Sequence, residues 1–109
     1  MARSESPIAV PRMSRQLVIR RKAELQAAKA RDWYDAQFEG LGDRFIGELE
    51  AAIKKAHENP LHYQKIRLEI RRVLLRRFPY ALFFVAQEQR VVVLAVLRQS
   101  ESPQKWPLP

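Results

Sequence analysis

Between Lys65 and Arg77 the chain places six cations: Lys65, Arg67, Arg71, Arg72, Arg76 and Arg77. Guanidinium groups bind phosphates and carboxylates through paired N–H donors. A cluster of this kind reads as a binding surface for an anionic partner. The alternative is an antiparallel sheet with one solvated, charged face. On a regular strand, period two puts Arg67, Arg71 and Arg77 on one face and Arg72 and Arg76 on the other. Leu74 shares the second face, so one of those arginines has to escape the core through a bulge.

Aromatic and proton-transferring groups come next. Trp33, Tyr34 and Trp106 could stack on bases. Tyr34 falls on an apolar helix face, so Trp33-Tyr34 read as core, and Trp106 reads as pinning the tail to the body. RNA cleavage without a metal needs a base, an acid and a cation for the phosphorane. Arginine supplies only the cation, because it stays protonated. His57 and His62 precede the strands, and neither His nor Tyr follows Tyr80. With no cysteine and two separated histidines, no metal or cofactor is expected. Phosphate-cradling loops and nucleophile motifs are missing, and the chain has three glycines.

A chain of 109 residues makes one domain with a small core. No stretch approaches the ~20 apolar residues of a membrane span. The first residues lack the apolar segment of a signal peptide. Together with the absence of cysteine, this suggests a cytoplasmic protein with no membrane association. The net charge of +8 is unevenly spread: residues 61–80 carry +5, residues 21–59 carry −1, residues 1–20 carry +3 and residues 81–109 carry +1. Such a field attracts nucleic acid or an acidic protein.

The elements that must position these residues follow from periodicity. Residues 1–13 read as a flexible extension with Pro7 and Pro11, and Met13 is an alternative start. Leu17-Val18-Ile19 suits a short buried strand. Ala23, Ala27, Ala30, Tyr34 and Phe38 form one face of a helix over 21–38. Gly40-Leu41-Gly42 breaks it, and a second helix starts near Asp43 with Phe45, Leu49, Ala52, Ile53 and Ala56 inward. Asn59-Pro60 ends it. From Ile66 the period changes to two, blurring at Val73-Leu74-Leu75, where a bulge or two-sided burial is expected. Ala81–Ala86 and Arg90–Leu97 make the last strands, and the run at 91–97 implies a central one. The result is an α+β domain over 14–109. A helical hairpin packs on a small, mainly antiparallel four-stranded sheet in the order β-α-α-β-β-β.

Taken in this order, the chain from about Ser14 to Trp106 resembles the RelE/ParE family of type II toxin–antitoxin toxins. The likeness rests on the early strand, the Trp33-Tyr34 helix, the Gly40-Leu41-Gly42 turn and the Asn59-Pro60 stop. It continues through Arg71-Arg72, Arg77-Phe78-Pro79-Tyr80, Val91–Leu97 and the Pro103-to-Trp106 tail. It is closer to ParE and plasmid-stabilisation proteins than to RelE. The resemblance implies a toxin neutralised by a cognate antitoxin in a hetero-oligomer. ParE-type members inhibit DNA gyrase by protein binding, which is the expectation here. RelE-type members cleave mRNA on the ribosome; in that case Arg71, Arg77 and Arg98 would hold the phosphate. A third possibility is a non-toxic, antitoxin-binding module of the same fold. Many members carry His after the last strand, where this chain has Arg98. A basic residue often precedes the tail proline, where it has Glu101. The antitoxin- or target-binding set is then Lys65, Arg67, Arg71, Arg72, Arg76, Arg77 and Arg98.

Overall fold

The change of period divides the molecule into two layers, seen in a computed structural model that describes residues 15–101. The extension over 1–13 and the tail with Pro103 and Trp106 lie outside the described residues. Strand β1, Gln16–Ile19, leads into α1, Arg21–Gln37, and α2, Leu41–Glu58. A 3-10 turn at Pro60–His62 precedes β2 (Lys65–Arg67), β3 (Ile70–Leu74), β4 (Tyr80–Ala86) and β5 (Arg90–Arg98). The sheet order is β1-β5-β4-β3-β2, with β1 parallel to β5 and the other pairs antiparallel. The architecture is α+β, as the periodicity predicts.

The sheet has five strands rather than four. The stretch expected as one strand from Ile66 splits at Leu68-Glu69, where Arg67 pairs with Ile70 across a two-residue hairpin. Leu68 takes φ 53° there, a position that such turns normally give to glycine. No bulge forms at Val73–Leu75. Strand β3 ends at Leu74, which is 52% exposed, while Val73 and Leu75 point into the core. Register shifts occur instead in the β2–β3 pair, between Lys65 and Arg67, and in β5. Phe83 pairs with Ala95 and Phe84 with Val93, so Leu94 is the extra residue. Val91, Val93 and Val96 consequently face the helices, and Val92, Leu94 and Ala95 the other side. Just past this bulge the Val96 N–H donates to Gln26 Oε1 of α1 at 2.8 Å.

As expected, β5 is central and buried on both faces. Strand β1 is not a buried strand. It is an edge, and Leu17 and Ile19 remain 38% and 37% exposed. The helix face buries Ala23, Ala30 and Tyr34 from α1 against Phe45, Leu49, Ala52 and Ala56 from α2. Phe38 is 69% exposed rather than core, because α1 stops at Gln37 and Phe38 is already extended, at φ −163°. Helix α2 begins at Leu41, two residues before Asp43. Gly40 supplies the left-handed turn with φ 88°, open to glycine without steric cost. Asp35 near the end of α1 accepts the Gly42 N–H at 2.7 Å, so one helix caps the next.

Candidate functional site

The six clustered cations do not share one surface. Arg76 and Arg77 are not on a strand, because β3 has ended. They sit in the Leu75–Tyr80 loop and both are exposed. The face assignment that grouped Arg77 with Arg67 and Arg71 therefore fails, as does that of Arg76 with Arg72. Lys65 and Arg67 lie on edge strand β2, and Lys65 pairs with Glu69 at 3.0 Å. Arg71 is half-buried on β3, and its Nη1 donates to the Tyr63 carbonyl at 2.6 Å, pinning the segment after the 3-10 turn. Arg72 points to the opposite face, level with Phe83.

Tertiary structure adds a different member to the loop arginines. Arg98 ends β5 opposite Tyr80, and its guanidinium lies 5.6 Å from the Tyr80 ring centroid. The Gln99 N–H donates to the Pro79 carbonyl at 2.9 Å, which ties the end of β5 to the loop. Arg76, Arg77 and Arg98 thus occupy one end of the sheet. Arg71 is level with Phe84, about 13 Å further along β4.

Loop geometry follows from Phe78-Pro79-Tyr80. Proline keeps Phe78 out of the helical region. The Tyr80 N–H bonds the Phe78 carbonyl at 2.8 Å across Pro79, and the Leu75 N–H bonds the Tyr80 carbonyl at 2.9 Å. Phe78 and Tyr80 are thereby turned toward the helices. Tyr34 stacks on Phe45 at 5.4 Å and meets Phe78 edge-on at 4.9 Å and Tyr80 at 6.1 Å. Phe45 also meets Phe78 at 5.4 Å and Tyr80 at 5.1 Å. Such edge and stacked pairs favour a fixed arrangement of rings. Burial pushes the Tyr34 hydroxyl above its usual range. Tyr80 adds to the rise, and Arg98 opposes it.

Two concavities flank this ring cluster. One, of about 340 Å³, is lined by Tyr34, Leu41, Arg44, Glu48, Arg77, Phe78 and Pro79. The other, of about 330 Å³, includes Lys29, Trp33, Tyr80, Arg98 and Glu101. Trp33 is 53% exposed there, so it is a surface ring and not core, while Tyr34 is buried as expected. Sequence reading missed Arg44, Glu48 and Lys29. No local pattern marks them, since their relevance depends on the helical hairpin turning back over the Phe78-Pro79 loop.

The histidines are elsewhere. His57 Nε2 lies 2.6 Å from the Arg15 carbonyl, beside β1 at the Arg90 end of the sheet. His62 belongs to the exposed 3-10 turn. Among the described residues, no three His, Cys, Asp or Glu side chains cluster as a metal requires, and no helix is long and apolar enough to cross a membrane. The end-of-sheet site therefore offers guanidiniums and rings. It can hold carboxylates or phosphates and pack against apolar groups.

Residues 17–103 match the family model described as the ParE toxin of the type II toxin–antitoxin system parDE. Among solved structures, a chain of the chromosomal ParDE TA system from P. aeruginosa aligns with 79% of this chain and 97% of its own. Its TM-score is 0.70 at 16% identity, a likeness of fold. No curated protein matches in sequence.

Proposed function

The chain belongs to the ParE toxin family of type II toxin–antitoxin systems, and from that premise we propose that it is the toxin of such a pair, inhibiting DNA gyrase by protein binding and neutralised by a cognate antitoxin. The end of the sheet carries this reading. Arg77 and Arg98 flank there a ring cluster around the buried Tyr34, whose hydroxyl holds its proton above the usual range. A tyrosine that keeps its proton through neutral pH has almost no phenolate to act as a base there, and general acid–base help is worth about 10²–10⁴-fold in such reactions. The site favours holding a partner over cutting RNA. Charge supports an acidic antitoxin: residues 61–80 carry +5 against −1 over residues 21–59. Both candidate targets are cytoplasmic, and the proposed place of action is the cytoplasm.

The test uses the purified, antitoxin-free chain in two assays. Gyrase supercoiling should fall, with cleavage complexes trapped, while mRNA on translating ribosomes stays intact. Site-specific mRNA cuts that vanish on Arg98→Ala, with gyrase unaffected, would overturn the gyrase reading in favour of ribosomal cleavage. Silence in both assays on a folded, antitoxin-binding chain would make it a module without toxicity.

A further inference from the structure

We propose that the cavity between the α1–α2 turn and the Leu75–Tyr80 loop receives one aromatic side chain from an acidic protein segment, whose flanking carboxylates pair with Arg44 and Arg77. This deepens the reading above, since it rests on the partner being a protein, and it names the chemistry that the partner must present.

Backbone strain is the first observation. Arg77 holds φ 69°, in the left-handed region that branched and long side chains avoid. The loop that imposes it is closed by the Leu75–Tyr80 and Phe78–Tyr80 hydrogen bonds. Glycine or asparagine would occupy this position more comfortably. The loop's hydrogen bonds and the packing of Phe78 and Tyr80 hold the strained backbone, but the Arg77 side chain itself gains nothing within the described chain. Arg77 is exposed, and it makes no ion pair among the described residues. Leu68 is strained by a hairpin turn and lines neither concavity; strain kept at an arginine that lines a cavity points to a contact made outside the molecule.

The second observation is the lining of the cavity. Tyr34, Leu41, Phe78 and Pro79 form an apolar, ring-rich wall around about 340 Å³. That space suits a single large side chain, and a ring meets Tyr34 and Phe78 in the edge-on and stacked geometries they already use. Charge is the third. Arg44 and Arg77 both line the cavity, Arg76 is adjacent, and neither Arg44 nor Arg77 is ion-paired among the described residues. Glu48 lies one turn from Arg44 and repels carboxylates on its side, which orients the segment. A second copy of this chain, at +8, is a poor occupant for an arginine-lined cavity.

Fluorescence anisotropy on the full, partner-free chain tests the idea. The probe is a short labelled peptide with one Trp flanked by Glu and Asp. Replacing that Trp with Ala should weaken binding about tenfold. Arg77→Gly and Arg44→Ala should each weaken it comparably, while Arg77→Gly, freed of strain, melts a few degrees higher than the parent. Equal binding of the Ala peptide, or full affinity of Arg77→Gly, would overturn the proposal. So would a lower melting temperature for Arg77→Gly, or preference for an oligothymidine over the peptide. The gyrase assay is separate. A chain that inhibits gyrase but ignores the Trp anchor keeps the proposed function and loses this pocket.

Discussion

The Tyr34 hydroxyl lies where its charged form is penalised, first by burial and then by Tyr80, with only Arg98 opposing. A folded state that grips a proton more tightly than the unfolded chain loses stability as the solution turns alkaline. The contribution of Tyr34 is whole below the ordinary tyrosine value of about 10 and is lost as pH rises through the raised one. Urea unfolding should therefore weaken less steeply above that pH in Tyr34→Phe, which keeps the ring packing, than in the parent. Identical alkaline profiles would remove Tyr34 from this account. Leu68 makes a second prediction at the same scale. Its φ of 53° is strained, and its side chain is 66% exposed. Left-handed backbone costs an L-residue ~1–2 kcal/mol. Part of that is offset by the extra freedom glycine has when unfolded. Leu68→Gly should stabilise by roughly 0.5–1 kcal/mol, read as a higher urea midpoint at unchanged slope.

The helical hairpin depends on a joint that only glycine fits. A Cβ at position 42 would lie 2.5 Å from the Arg31 carbonyl oxygen and 2.8 Å from Asp35 Cγ. Both obstacles belong to α1, and one is backbone, so relief requires the helices to separate. Gly42→Ala should cost about 1–3 kcal/mol by that overpacking. Asp35→Ala removes the cap on the Gly42 N–H and should cost ~1–2 kcal/mol. The two changes act on one joint, so the double variant should cost less than their sum. Full additivity in chemical unfolding would show that cap and close approach are independent. The hairpin bears on the proposed cavity because it carries Tyr34, Leu41, Arg44 and Glu48 to Arg77.

Across the whole molecule, charge separates roles that the arginine count conflates. Arg77→Glu should weaken the antitoxin complex, and the loss should shrink as salt rises, because the residue is exposed and screened. Arg71→Glu should act mainly on stability, since it breaks the bond to the Tyr63 carbonyl from a half-buried position. Thermal melts paired with binding isotherms at low and high salt distinguish the two. Equal binding losses with unchanged melting would restore Arg71 to the partner surface. A chain starting at Met13 should melt within a few degrees of the full one, because residues 1–12 hold two prolines and only Met1, Ile8 and Val10 as large apolar side chains. A large drop would show that the extension is docked.

Periodicity determined the α+β class, the order of helices and later strands, and the central place of Val91–Leu97. It did so because burial of alternating or every-third apolar residues is a local demand that the chain must meet wherever it packs. Tyr34 as core and the Asn59-Pro60 stop were legible for the same reason. The split at Leu68 was not, since leucine is a poor signal for a left-handed turn and only the pairing of Arg67 with Ile70 compels it. The shift of the bulge to Leu94 was decided by how β5 meets β4 while keeping Val96 toward α1. The site itself divides the same way. Arginine clustering marked the loop, but counting along a strand could not separate Arg71 from Arg77. Arg98, Arg44 and Glu48 reach the same end of the sheet only because β5 pairs with β4 and the hairpin folds back across them. Contacts between residues so distant along the chain are set by tertiary packing, and local pattern carries no record of them.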